Sequence, residues 1–182
     1  MANKILLGMG TSIGFSSGYS EALSDETFAL TLASLGSSAA RQSAKADMDT
    51  LSVANRYPRE FAVTALIEWP SGNAPAAGAD VNFYWAPSVS ATAATANPGG
   101  TTGSDAAYTG TAGSTLPESL LELQSLGTMW TTNDDGVQIV TFKATLPTQF
   151  GMVVVENSTD QNLEADGVEM SVIFTPLELE IQ

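Results

Sequence analysis

The sequence predicts an all-β fold: a jelly-roll-like antiparallel β-sandwich with an extended N-terminal arm. Three observations carry that expectation. Apolar residues recur at alternate positions in several short runs, Gly/Pro/Asn/Asp clusters separate those runs, and no convincing amphipathic helix interrupts them. The chain has 182 residues, 43% apolar and 14% charged. That is enough to bury about 70% of the surface an unfolded chain exposes.

Residues 1–26 are rich in Gly and Ser, with Ile5, Leu6, Leu7, Ile13, Phe15 and Tyr19 scattered among them at no sustained period. They read as an arm whose apolar side chains must lie on a surface, and grooves of adjacent subunits would serve. Each such side chain contributes about 1.5–3 kcal/mol when fully buried. The sandwich is then expected over 27–182. Phe28, Leu30 and Leu32 alternate within Thr27–Leu35, and Gly36–Ser37–Ser38 gives a turn. Ala40–Asp49 alternates more weakly. Tyr57–Pro58 closes the N-terminal part, because a residue before proline resists helix.

The clearest run is Glu60–Trp69, with Phe61, Val63, Ala65, Ile67 and Trp69 on one face. Val81, Phe83 and Trp85 repeat it up to Pro87. Leu120–Thr132 reads as a strand broken near Gly127. Asn133–Asp134–Asp135–Gly136 then makes a hairpin-type turn into Val137–Leu146. Phe150–Glu156 and Val168–Thr175 complete eight strands, the number a jelly roll uses. Between Ala86 and Thr115, 24 of 30 residues are Ala, Thr, Gly or Ser, and Asp105 is the lone charge. A loop of that length inside a domain is functional, disordered or held by a partner.

Composition narrows the chemistry. Cys and His are absent, so disulfides, thiolate or imidazole metal sites, and Ser–His–Asp or Cys–His catalysis are all excluded. Only oxygen ligation of a hard cation remains open. The net charge is −14, and residues 61–182 hold Lys143 against fourteen Asp/Glu. Such a surface repels phosphate backbones, so nucleic-acid binding is not expected. No apolar run reaches the roughly 18 residues of a membrane span, and the Lys4–Met9 patch is too short for a signal peptide.

Several pieces resemble small structural proteins of tailed-bacteriophage virions. They are Gly36–Ser37–Ser38–Ala39–Ala40–Arg41–Gln42–Ser43, Tyr84–Trp85–Ala86–Pro87, Thr95–Ala96–Asn97–Pro98–Gly99–Gly100, Val153–Val154–Val155–Glu156–Asn157–Ser158 and Phe174–Thr175–Pro176. The resemblance spans about Gly36 to the C-terminus and implies a virion component made in a bacterial cytoplasm. It transfers no functional residue and implies no enzyme.

The resulting expectation is a capsid decoration or cement protein, on the capsid exterior, acting through subunit contacts. Its main partner would be the major capsid protein, and a homo-oligomer, most simply a trimer, would suit local threefold axes. The alternative is a receptor- or glycan-binding module of the neck, a head fibre or the tail. The interface residues would be Ile5, Leu6, Leu7, Ile13, Phe15 and Tyr19 on the arm. With them go Arg41, Lys45, Arg56 and Arg59, a basic set facing the acidic surface of a neighbouring copy. No catalytic, cofactor or metal residues are expected. Asp134–Asp135 reads as a turn and the Asp160–Glu169 acids as a solvated loop. Trp69, Trp85 and Trp130 read as core, which leaves no aromatic-lined cleft for a glycosidase. Asn157–Ser158–Thr159 matches a glycosylation sequon but reads as a turn.

Overall fold

A computed structural model describes residues 5–8, 12–17, 26–49 and 59–181, with side chains left undescribed at 5–8 and 178–181. Among these, thirteen strands and one short helix follow in chain order. They are β1 (Ile5–Gly8), β2 (Ile13–Ser16), β3 (Glu26–Ala29), β4 (Ala39–Gln42), β5 (Ala46–Asp47), β6 (Glu60–Trp69), β7 (Asp80–Ser88) and β8 (Ala106–Tyr108). After these come α1 (Leu116–Leu120), β9 (Gln124–Trp130), β10 (Gly136–Thr145), β11 (Phe150–Asn157), β12 (Ser171–Pro176) and β13 (Glu178–Ile181).

Two sheets pack face to face. The first runs β10-β6-β12-β2-β3, and the second runs β8-β4-β11-β7-β9 with β5 also on β11. β1 and β13 form a separate antiparallel pair. The fold is therefore an all-β sandwich, as the alternation predicts. One departure from a wholly antiparallel arrangement is β2–β3, which pair in parallel. The pairings establish a sandwich; a jelly roll is a finer statement than they make.

Between the sheets lies the main core. Phe61, Val63, Ala65, Ile67 and Trp69 of β6 meet Val81, Phe83 and Trp85 of β7 and Val153 and Val155 of β11. Phe15 sits at its centre, with ring centroids 5.5 Å from Phe174, 5.8 Å from Phe28 and 6.4 Å from Trp85. The expected boundary at residue 26 is thereby corrected. Residues 13–16 are an internal strand, hydrogen-bonded between β12 and β3, and Ile13 and Phe15 are fully buried in their own domain. The period was invisible in the sequence because four residues are too few to display one, and Gly14 and Ser16 occupy the opposite face.

A second correction concerns Asn133–Gly136. The strands on either side do not pair with each other: β9 pairs with β7 in one sheet and β10 with β6 in the other. The turn carries the chain across the sandwich. The Gln138 amide closes it, accepting from Thr132 N and donating to the Asp134 carbonyl. Gly136 takes φ +87°, open to glycine. A hairpin signal specifies a reversal of direction, and it does not specify whether the returning strand stays in the same layer.

Two elements differ in extent. β7 runs through Pro87 to Ser88, because the β7–β9 pairing ends at Trp85–Gln124 and the missing proline N–H is not needed on that side. The segment before β9 is helical. Thr115 caps α1 in a capping box with Glu118, and the Thr115–Leu116–Pro117–Glu118 spacing that signals it was there to be read. The break anticipated near Gly127 is a bulge opposite Phe83/Tyr84.

Candidate docking surfaces

The Ala/Thr/Gly/Ser-rich segment is held down by contacts within its own chain. It folds over the outer face of the β4-β11-β7 sheet and closes a second small core. That core comprises Ala40, Ala86, Tyr108, Met152 and Val154 from the sheet, with Leu120 and Leu123 from α1 and the turn after it. Tyr108 donates its hydroxyl proton to the Gly99 carbonyl at 2.5 Å. Burial, together with the Glu122 charge, pushes its phenol up to about 12.

Two of the predicted interface cations hold this cover down. Four oxygens surround the Lys45 ammonium: Ser88 Oγ at 2.9 Å and the carbonyls of Ser90, Thr92 and Thr95 at 3.1, 2.7 and 2.9 Å. Desolvation lowers the Lys45 pKa. Arg41 Nε donates to Asp105 Oδ1 at 2.7 Å, and Thr31 donates to the same carboxylate from its N–H at 3.1 Å and its hydroxyl at 2.6 Å. Burial alone would raise the Asp105 pKa, but the bonds from Arg41 and Thr31 outweigh it and hold the carboxyl below its ordinary 3.8. The lone charge of the segment is thus its anchor. Arg41 and Lys45 are removed from the set expected to meet a neighbouring copy, because their charged heads are already engaged.

The remaining predicted residues divide as follows. Ile13 and Phe15 are core and leave the interface set. Ile5, Leu6 and Leu7 lie in β1, whose backbone pairs with residues 179–181 of β13. Arg59 contributes its carbonyl to Leu146 N at 2.7 Å. Tyr19 and Arg56 fall outside the described residues. Of the five whose side chains are described, Ile13 and Phe15 are core and Arg41 and Lys45 hold the cover, so these do not form one exposed patch with Arg59.

The acids and the sequon serve local structure. Asp135 accepts from Gly72 N and Asp160 from Ala76 N. Glu68 has its pKa raised by burial first, then by Glu169, Asp166 and Glu164. Among the described residues no group of three or more acids is arranged to hold a metal. Asn157 is fully buried, and its amide nitrogen donates to the carbonyls of Leu35, Gly36 and Gln161.

Among the described residues, exposed apolar side chains stand on two strand surfaces. On the first sheet, β10 turns Val137, Ile139, Thr141, Lys143 and Thr145 outward, and Ile139 is 65% exposed opposite Leu66. On the second sheet, beyond the cover, Asp80, Asn82, Glu156, Thr128 and Trp130 share the outer face. Asn82 Nδ2 donates to Asp80 Oδ2 at 2.5 Å and Glu156 Oε2 at 3.2 Å, and Thr128 donates to Asn82 Oδ1 at 2.7 Å. The Tyr84 hydroxyl donates to Glu156 Oε2 at 3.1 Å; burial, the Glu156 charge and this bond raise its pKa.

Trp69 and Trp85 are core, as expected, whereas Trp130 is 69% exposed. The bulge is the reason. The extra residue at Leu126 shifts the alternation, so Leu126 and Met129 point inward and Trp130 outward. The sequence signal was Gly127, over which the Phe142 ring lies so closely that a Cβ would stand 2.8 Å from its Cγ. Among the described residues, no helix is long and apolar enough to cross a membrane. Compared with family models, curated proteins and solved structures, the chain finds no match.

Proposed function

We propose that this protein is a non-enzymatic structural component of a bacteriophage particle. In this reading it decorates the capsid exterior by docking exposed strand faces against other virion proteins, chiefly the major capsid protein. One observation carries the reading. Arg41, Asp105 and Lys45 are spent on fastening the cover to its own chain, while three of the six exposed large apolar side chains among the described residues, Ile139, Val137 and Trp130, stand on strands, the others (Val89, Leu121 and Val168) standing in loops and turns. Rigid apolar side chains bind a protein surface with little loss of conformational entropy, and tryptophan is over-represented among residues that dominate interfaces.

The docking elements differ from those the sequence suggested, since part of the arm is core. The expectation of a closed oligomer, a trimer most simply, stays with the proposal. A second reading, a glycan- or receptor-binding module of the neck, fibre or tail, draws support from the exposed Trp130 standing beside Asp80, whose carboxylate shares the Asn82 amide with Glu156. Quantifying the protein in purified virions of the phage that encodes it separates the two. Hundreds of copies per particle are expected for decoration, a dozen or fewer for the neck or tail, and absence from the particle overturns both.

A further inference from the structure

The corner around Trp130 has the chemistry of a cation receptor. Asp80 and Trp130 are register partners across β7 and β9, so carboxylate and indole stand side by side on one face. Directly paired side chains have Cβ atoms about 4.5–5.5 Å apart. Asp80 Oδ2 and Glu156 Oε2 share one neutral donor, Asn82 Nδ2. The ion pairs Arg41–Asp105 and Lys143–Glu60 do not involve them. Two carboxylates are thus held together by an amide, with acceptor capacity remaining, beside an exposed indole.

We propose that this corner receives an arginine side chain of a partner protein. Its guanidinium would stack on Trp130 while donating to Asp80 and Glu156. A tryptophan face is the strongest cation–π surface a protein offers, and the planar guanidinium can stack and hydrogen-bond at once. Charge complementarity selects the occupant. The chain is itself poor in arginine, with six Lys/Arg against twenty Asp/Glu, and Arg41 is already paired with Asp105, so a more basic partner offers the better-matched guanidinium. The arginine therefore comes from a different polypeptide. This inference rests on the protein-docking reading and names the chemistry of its partner.

The test uses the full chain and three probes: octa-arginine, octa-lysine and a β-1,4-linked glucose hexasaccharide. Tryptophan fluorescence reports binding, because Trp69 and Trp85 are buried and Trp130 is not. Octa-arginine is expected to perturb the emission and to bind about tenfold more tightly than octa-lysine. Trp130→Ala and the isosteric Glu156→Gln should each weaken octa-arginine, measured by calorimetry, about tenfold, while Glu169→Gln, a distant acid, should not. Unchanged thermal melting verifies that the variants fold. Equal affinity for the two peptides, or full binding by both site variants, overturns the proposal, as does a Trp130-dependent response to the saccharide alone. Virion copy number is read separately: an abundant protein without arginine selectivity sinks only this inference, and selectivity in a protein absent from virions sinks only the structural role.

Discussion

β10 and β11 follow one another in the chain, separated by the four residues 146–149, yet they live in opposite surroundings. β10 has one face on the core and one in water, and its burial alternates strictly from Gly136 to Lys143. β11 is buried on both faces: Val153 and Val155 enter the main core, while Met152 and Val154 enter the second one. The sequences differ accordingly. β10 interleaves Thr and Lys with its apolar residues, and β11 carries an unbroken Met152–Val155 run. Such a run means that something covers the strand from both sides. Here the cover is the small-residue segment, which has too few large apolar residues to form a core of its own and borrows the sheet's.

The largest expected effect tests this contrast directly. Val154→Asp buries an unpaired carboxylate under the cover and should cost more than about 3 kcal/mol, enough to abolish a cooperative urea transition. Ile139→Asp on the open face should stay within about 0.5 kcal/mol of wild type. Equal losses would mean that the second face of β11 is not sealed.

Next comes Gly151→Ala. An added Cβ would fall 2.2 Å from Trp85 Cζ2, and the indole, packed between the sheets, has little room to yield. A loss of about 1–3 kcal/mol is expected by chemical denaturation, from overpacking. Gly72→Ala, where a Cβ meets nothing within 4 Å, serves as the comparison, although its φ of +81° brings its own backbone strain.

A smaller effect follows from the Arg41–Asp105 clasp. Because folding depresses the Asp105 pKa, its stabilisation is fully present above the unfolded value near 3.8 and fades as pH falls through the lower folded value. Hydrogen exchange at Thr102 and Gly103, beside the clasp, should therefore accelerate relative to the intrinsic amide rate only in acid. Asp105→Asn should accelerate it already at pH 7, by about 1–3 kcal/mol of local opening, and remove that acid step. Identical acid profiles for the two proteins would show that the cover does not depend on this carboxylate.

Smallest of all, Lys143→Gln removes the exposed pair with Glu60 at 2.8 Å and should shift stability by no more than about 1 kcal/mol, less at high salt. A larger, salt-insensitive loss would mark β10 as more than an open face.

Much of the fold was legible from residues alone. The alternation of Phe61 to Trp69 and of Val137 to Thr145 stated strand and orientation together, because a period of two assigns every second side chain to one face. β2 was hidden, being four residues long, and α1 was masked by leucines that continue into β9. Of the surface residues, the exposed Trp130 was misassigned because a single inserted residue at the bulge reverses which face every later side chain joins. Lys45 and Arg41 looked like free surface charge because nothing local reveals that a segment forty to sixty residues later brings its carbonyls and Asp105 to them.

By itself the sequence determined the all-β class, the acidic surface and the exclusion of imidazole and thiol chemistry, all of which follow from residue type and short-range period. Only the tertiary structure decided that residues 13–16 are core, that the turn at 133–136 joins two sheets, and that the small-residue segment is a cover clasped by Lys45 and Asp105. The physical reason is range: a period is set between neighbours, whereas burial is set by whatever distant segment arrives on the other side of the strand.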